Sequence, residues 1–249
     1  MDIYRKATLW GLVLLAGGLV TGCEGGGDES PMASPEHQAV YRWQFEAGNR
    51  EGWTMESSHP NVGWSVEHSL FNPAFIGEEA PYVGETDMYS LNYNRYWSQY
   101  FAPESDPEEF ELDFDTGLES NRGSATSPRI QVSGLQDPKL VFSCTFDMEN
   151  FKGIDVRSVA IYQDDTGLLL KEVVLGFDGV EDSHEGLCIG WEKWHSHVIG
   201  LDAAWGSVRV RFNFDTVDSF KNNGKGWFLD DIQVQAALAP GQVIPLQAK

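Results

Sequence analysis

The sequence of 249 residues predicts an all-β domain with two facing antiparallel sheets. Short segments in which apolar and polar residues alternate recur along the chain, and Gly, Pro, Asn or Asp residues separate them. The hydrophobic period of about 3.6 residues that marks an amphipathic helix is not found after residue 22. About ten candidate strands result, which is enough for the two sheets of a sandwich.

The clearest strand signal lies at residues 208–215, where apolar and polar side chains alternate strictly. This pattern is typical of a strand that has one face in a core. A segment rich in Asp, Asn and Gly follows, and residues 227–234 resume as a second strand. We expect these two strands to form the closing hairpin of the domain.

The other candidate strands are short and are bounded by turn residues. Residues 139–146 are the most apolar and are predicted to lie inside a sheet, and the Asp-Asp-Thr-Gly sequence at 164–167 predicts a hairpin. Residues 109–115 carry alternating carboxylates and favour a charged edge strand. In chain order the remaining candidates are residues 41–46, 62–67, 89–93, 129–132, 156–163, 168–175 and 191–201.

The N-terminus carries a basic pair followed by an apolar run at residues 7–20 and by small residues that lead to Cys23. The run is too short for a permanent membrane helix, which needs roughly 20 apolar residues. The segment resembles a bacterial lipoprotein signal peptide with its lipobox. The resemblance implies that residues 1–22 are removed, that Cys23 is acylated, and that the protein is anchored by lipid in the cell envelope, at the outer membrane or cell surface.

Composition divides the rest of the chain into three parts. Residues 23–38 are rich in Gly, Ser, Pro and acids, which indicates a flexible tether. Residues 39–236 are numerous enough to bury a full core and are predicted to form one β-sandwich. Residues 237–249 contain two prolines and no hydrophobic pattern, so we expect a loose tail.

The chain is strongly acidic, with 38 acidic residues against 17 basic ones and a formal net charge of -21. Such an excess repels phosphate backbones and excludes nucleic acid as a partner. Most of these carboxylates are expected to form a solvated surface.

Three cysteines are present, and with Cys23 acylated, Cys144 and Cys188 remain as an even pair. An exported chain permits a disulfide between them, which we predict, while two buried thiols are the alternative. Neither cysteine has the spacing of a zinc site. His195 and His197 would share one strand face, a spacing found in metal sites and in ordinary strands alike, and spacing identifies no third ligand.

Several short motifs follow one another in a fixed order through residues 45–231. They are Phe45-Glu46 with Gly52-Trp53, Ser90-Leu91-Asn92-Tyr93, the segment 123–128, Leu140-Val141-Phe142, Trp194 with Leu201-Asp202, and the segments 212–215 and 226–231. Their order resembles that of MAM-like and carbohydrate-binding-module-like jelly-roll domains. The resemblance implies a two-sheet antiparallel jelly roll in which the first and last strands are neighbours.

In similar domains an acid after the first-strand Phe and an acid in the last strand hold a structural calcium ion. The resemblance implies that Glu46 has this role together with Asp230 or Asp231. Calcium requires several oxygen ligands, and carboxylates from both ends of the domain would tie the fold together. The alternative is that the aspartates only accept hydrogen bonds from backbone amides.

Aromatic residues are concentrated where the chain is least regular, and we interpret them as candidates for binding a ligand. Aromatic faces stack on sugar rings or anchor a protein partner. The alternative is a small core that holds a long loop in place. The candidates are Tyr93, Tyr96, Trp97 and Tyr100.

No GxSxG, HExxH or Walker motif occurs, so nothing in the sequence indicates catalysis. The predicted function is that of a non-catalytic, lipid-anchored extracytoplasmic module that binds or adheres to a glycan or a protein. Two alternatives stay open, namely a carbohydrate-active enzyme on a jelly-roll scaffold and a purely structural envelope lipoprotein.

Overall fold

The described part of the chain folds into two six-stranded antiparallel sheets. The computed structural model describes residues 36–68, 89–95, 116–117, 119–149, 153–176, 194–222, 224 and 226–238. The strands are β1 (His37–Trp43), β2 (Thr54–Ser57), β3 (Val62–His68), β4 (Tyr89–Arg95), β5 (Arg122–Thr126), β6 (Ile130–Gln131), β7 (Lys139–Asp147), β8 (Val156–Gln163), β9 (Leu169–Leu175), β10 (His195–Gly200), β11 (Ser207–Asp215) and β12 (Gly226–Ala237). A 3₁₀ turn at Ala203–Trp205 is the one helical element in these ranges. Within the described ranges, no helical segment combines the length and the apolar character that a membrane crossing requires.

The first sheet has the order β10-β7-β12-β4-β3, and β1 also pairs with β12. The second sheet has the order β2-β5-β11-β8-β9, and β6 also pairs with β11. The molecule is therefore a two-sheet jelly-roll sandwich, as predicted. The pairing of β1 with β12 also confirms that the first and last strands are neighbours.

The predicted closing hairpin at residues 208–234 is wrong, because β11 and β12 belong to different sheets. β11 forms its hydrogen bonds with β5 and β8, whereas β12 forms its hydrogen bonds with β7, β4 and β1. The segment between them therefore crosses from one sheet to the other instead of reversing the chain within a sheet.

The core lies between the sheets and is rich in aromatic rings. Phe212 of β11 contacts Phe142 of β7 at a centroid distance of 5.1 Å, Trp227 of β12 at 5.8 Å and Trp53 at 5.7 Å. Phe212 is 0% exposed, as the alternation of residues 208–215 predicted for one face of this strand. Burial of such rings is the main source of stability for a sandwich of this size.

The hairpin of β8 and β9 forms around residues 164–167 as predicted, and β7 lies inside its sheet between β10 and β12. Two short strands, β2 and β5, were not predicted. β5 reads Arg-Gly-Ser-Ala-Thr and contains no large apolar residue that would signal a buried face. The edge strand predicted at residues 109–115 lies outside the described ranges.

Candidate functional site

The predicted calcium ligands lie near one end of the β1–β12 pair. Trp43 faces Ile232 at this end of the pair. Glu46 comes three residues after Trp43 and Asp230 comes two residues before Ile232, so both lie just beyond this end. Asp230 is 1% exposed, and its Oδ1 accepts a hydrogen bond from the Asp231 amide at 2.6 Å. Binding of calcium by Glu46 together with Asp230 or Asp231 stays a prediction.

Asp231 has a different set of contacts from Asp230. It adopts a φ of 44° where the pairing of β12 with β7 is irregular. Its Oδ1 accepts hydrogen bonds from Arg42 Nε at 3.1 Å and from Gln233 Nε2 at 2.7 Å. Asp231 thus forms an ion pair with Arg42.

The prediction that Tyr93 binds a ligand is wrong, because its side chain is 0% exposed. Tyr93 lies on β4, and its ring packs between the sheets, 4.5 Å from the ring centroid of Phe214 and 5.6 Å from that of Trp64. Its hydroxyl donates to Oδ1 of Asn121 at 2.6 Å. The other three predicted aromatic residues, Tyr96, Trp97 and Tyr100, lie outside the described residues and stay predictions.

Cys144 is buried on β7, and its Sγ lies 3.4 Å from Nε2 of His195 on β10. Cys23 and Cys188 both lie outside the described residues. The lipid anchor at Cys23 and the disulfide between Cys144 and Cys188 therefore stay predictions.

An open cleft of about 360 Å³ lies on the second sheet where β2, β5 and β11 run side by side. The register of the strands arranges outward-facing side chains in two rows. Glu56, Ser124 and Asn213 are cross-strand neighbours in one row. Arg122 faces Asp215 in the other row. Strand pairing thus brings together side chains that are far apart in the sequence. Glu56 and Asp215, for example, are separated by 159 positions.

The charged groups of the cleft are available to a ligand. Glu56 and Arg122 are exposed, and their side chains form no hydrogen bond or ion pair with another residue of the described ranges. Asp215 uses Oδ1 to accept a hydrogen bond from the Val217 amide at 2.8 Å. The cleft therefore offers two carboxylates and one guanidinium to whatever enters it.

Hydrogen bonds to the neighbouring strands fix the orientation of Asn213. Its Nδ2 donates to Oγ of Ser158 on β8 at 3.1 Å, and that hydroxyl donates to Oε1 of Glu172 on β9 at 2.9 Å. A side chain held by such a network loses little rotamer freedom when a ligand binds, which favours binding.

Beyond the cleft the same face continues as a network of polar side chains with one aromatic ring. Arg211 donates from Nε to Oγ1 of Thr126 at 3.1 Å, and its guanidinium lies 4.7 Å from the ring centroid of Tyr162. Arg209 donates to Asp164 and, at 3.1 Å, to the carbonyl oxygen of Ser127. These arginines are engaged within the sheet, unlike Arg122.

None of the cleft residues was predicted to bind a ligand. One signal was visible in the sequence, namely the polar half of the alternation in residues 209–215, which gives Asn213 and Asp215 their outward direction. Glu56 and Arg122 had no such signal, because β2 and β5 were not recognised and their alignment with β11 depends on long-range pairing.

No protein-family model and no curated protein matches the chain. Similar solved structures include TmCBM61 in complex with β-1,4-galactotriose, with 14% identity, 77% of this chain and 92% of that chain covered, and a TM-score of 0.43. A family 11 carbohydrate-binding module of a cellulosomal cellulase of Clostridium thermocellum has 10% identity, with 84% and 100% covered and a TM-score of 0.42. A cleaved adhesin domain of Lys-gingipain from Porphyromonas gingivalis has 14% identity, with 83% and 100% covered and a TM-score of 0.39.

Proposed function

We propose that this protein is a non-catalytic, lipid-anchored module that binds an uncharged glycan in the cleft of its second sheet. The observation that carries the proposal is the lining of the cleft, where carboxylates, a guanidinium, an amide and hydroxyls surround about 360 Å³. Ligand sites in proteins commonly have volumes of roughly 300–1,000 Å³. The cleft is thus large enough for part of a short saccharide.

The groups that line the cleft complement the hydroxyls of a sugar, each of which donates one hydrogen bond and accepts others. Glu56 and Asp215 supply acceptors, Arg122 supplies donors, and Asn213 supplies both. Hydrogen bonds in which one partner is charged are about twice as strong as those between neutral groups. A neutral polyhydroxylated ligand therefore matches this lining better than an apolar one.

The charge of the protein favours an uncharged ligand over an anionic one. The chain has a net charge of -21, and two of the three charged side chains that line the cleft, Glu56 and Asp215, are acidic. An anionic polysaccharide would be repelled by both the whole molecule and the cleft.

The proposed location of the module is the cell envelope. An acyl group on Cys23 would anchor the chain, and residues 23–36 would form the tether, two residues fewer than predicted because His37 and Gln38 belong to β1. The first strand begins at His37, so the tether would lead directly into the sandwich. Cys23→Ala is expected to release the protein from the membrane fraction of the native host, and membrane retention of this variant would contradict the lipid anchor.

A glycan array probed with the purified full-length chain, followed by calorimetric titration of the best ligand, tests the binding proposal. Arg122→Ala and Asn213→Ala are each expected to weaken binding at least about tenfold, which corresponds to about 1.4 kcal/mol. Arg50→Ala removes an exposed arginine outside the cleft lining and is expected to leave the affinity unchanged. The absence of any glycan ligand for the folded chain would overturn the proposal.

Two further measurements separate the alternatives. Trp97→Ala tests the predicted aromatic site. Loss of glycan binding in this variant alone would assign binding to the aromatic residues instead of the cleft. A turnover assay on the same glycans tests the absence of catalysis. Cleavage that disappears in Glu56→Gln would make the protein a carbohydrate-active enzyme with acids on its sheet, because glycosidases use a pair of carboxylates.

A further inference from the structure

Three side chains that commonly bind transition metals converge on the buried side of the first sheet. They are Cys144 of β7 and His195 and His197 of β10, whose potential ligand atoms all lie within 4.8 Å of one another. Among the described residues, this is the one group of three or more His, Cys, Asp or Glu side chains with this geometry. The cluster is separate from the glycan cleft, which lies on the outward face of the other sheet.

Strand register produces the cluster. Cys144 and His195 are direct partners in the antiparallel β7–β10 pair, and His197 faces Phe142 two positions further along. Since side chains two apart on a strand share a face, His195 and His197 both point to the side on which Cys144 lies. The outward residue Val198 is 47% exposed, whereas His197 is 1% exposed, which places the cluster on the core side.

Two imidazoles at core-facing positions are unusual for an edge strand of a sandwich, where apolar side chains are expected. Burial of polar groups costs free energy unless bonds compensate for it. Coordination of one metal ion would bind all three side chains at once.

Aromatic residues of β7 hold both imidazole rings in place. The ring of His197 is stacked on Phe142 at a centroid distance of 5.0 Å and an angle of 16°. The ring of His195 meets Phe146 edge to face at 6.4 Å and 85°. Packing of this kind holds the two imidazoles in fixed orientations, which preorganises them as ligands.

We propose that Cys144, His195 and His197 form a zinc site that ties the edge strand β10 to β7. Zinc bonds of about 2.3 Å to sulfur and about 2.0–2.1 Å to nitrogen, at a tetrahedral angle, separate the two ligand atoms by about 3.6 Å. The distance from Cys144 Sγ to His195 Nε2 is 3.4 Å, close to that value. Thiolate and imidazole are the ligands that zinc prefers, and a water molecule completes the fourth position.

The zinc site and the predicted disulfide between Cys144 and Cys188 exclude each other, because a sulfur in a disulfide is not a thiolate ligand. Cys188→Ser separates the two hypotheses. This variant cannot form the disulfide and is expected to bind zinc as tightly as the unmodified chain. Loss of zinc binding in Cys188→Ser would contradict a site built from Cys144 and the two histidines.

The experiment measures zinc in the purified full-length chain under reducing conditions, by elemental analysis and by competition with a chromophoric chelator. One zinc ion per chain is expected. Cys144→Ser and His195→Ala are each expected to lower the affinity by more than the roughly 10–100-fold that loss of an outer-shell partner costs. His59→Ala removes a histidine outside the cluster and is expected to leave the affinity unchanged.

Cobalt substitution reports directly on the sulfur ligand. A thiolate-to-cobalt charge-transfer band is expected for the unmodified chain and for His59→Ala, and its absence is expected for Cys144→Ser. If Cys144→Ser does not fold because it buries a hydroxyl in the core, His195→Ala still allows the test, since His195 is half-buried and Cys144 is fully buried. A folded chain that binds no zinc, or that binds it equally well without Cys144 and without His195, would overturn the proposal.

Discussion

The hydroxyl of Tyr93 donates a hydrogen bond to Oδ1 of Asn121 at 2.6 Å, and both side chains are buried. Tyr93 lies on β4 of the first sheet, whereas Asn121 directly precedes β5 of the second sheet. The bond therefore connects the two layers of the sandwich close to the cleft. A residue predicted to contact a ligand instead holds in place the start of a strand that carries ligand-facing groups.

Tyr93→Phe is expected to destabilise the domain by about 1–2 kcal/mol, because it removes one buried hydrogen bond while keeping the ring. Urea unfolding measures this change. Tyr162→Phe, at a half-buried position on the outer face of the second sheet, is the matched control and is expected to change stability by less than about 0.5 kcal/mol. Equal effects of the two substitutions would contradict the structural role assigned to Tyr93.

Gly226→Ala is expected to destabilise the domain by roughly 3 kcal/mol or more, because a Cβ at this position would lie 2.1 Å from the carbonyl oxygen of Tyr93. Its φ of 92° adds strain for any residue with a side chain. Gly134 has a similar φ of 83° but open space around its Cα, so Gly134→Ala isolates the strain and is expected to cost about 1–2 kcal/mol. Thermal unfolding of both variants checks this, and a Gly134→Ala cost as large as that of Gly226→Ala would contradict the steric argument.

Asp155 is expected to make stability depend on pH. It is 3% exposed, and burial, opposed by the hydrogen bond from the Glu149 amide, raises its pKa from 3.8 to about 7. The negative charges of Glu149 and Asp218 raise this pKa further. Oδ1 of Asp155 has no hydrogen-bond partner among the described residues, so no hydrogen bond replaces its hydration, and the positive charge of Arg157 lowers the pKa only in part.

The direction in which stability changes with pH follows from the higher pKa of Asp155 in the folded state. The carboxyl group contributes its full stability below about pH 4 and loses it as the pH rises to about 7, because the folded state retains a proton that the unfolded state releases. As the pH rises from about 4 to about 7, the free energy of unfolding of Asp155→Asn is therefore expected to increase relative to that of the unmodified chain, by up to roughly 4 kcal/mol. Denaturant unfolding at several pH values measures the difference, and a difference that does not change with pH would refute it. Asn tolerates the φ of 48° at this position, which makes the variant conservative.

Calcium is expected to raise the melting temperature of the domain if Glu46 and Asp230 hold it, since a ligand that binds the folded state alone stabilises it. Glu46→Gln is expected to abolish the response to calcium. Asp231→Asn is expected to preserve it, because Asp231 forms an ion pair with Arg42 instead. Identical melting temperatures in calcium and in chelator for the unmodified chain would exclude the site.

Local patterns were sufficient to predict most strands of the fold. The alternation of Val210 and Phe212 with Arg211 and Asn213 predicted both the existence of β11 and the direction of its faces, since burial of one strand face leaves a period of two. Membership in a sheet is not local in this way. The partners of β11 are more than 40 residues away in the chain, and for this reason the expected hairpin with β12 was wrong.

The candidate sites could be predicted only in part, for the same reason. His195 and His197 were recognised as sharing a strand face, but Cys144 becomes their neighbour only through the register of β7 with β10. Likewise, Arg122 faces Asp215 only because β5 pairs with β11. Residue types indicate which chemistry is available, whereas the pairing of distant strands decides which groups meet.

The two ends of the domain lie side by side, because His37 is the partner of Ala237 and the Leu238 amide donates to the carbonyl oxygen of Glu36 at 2.9 Å. A pulling force between the two ends would therefore load one residue pair of β1 and β12 at a time, and the strands would open as a zipper does. A force between the tether and a ligand on the second sheet would instead pass through the packed aromatic layer around Phe212. The domain is thus expected to be mechanically weak in the first direction and resistant in the second.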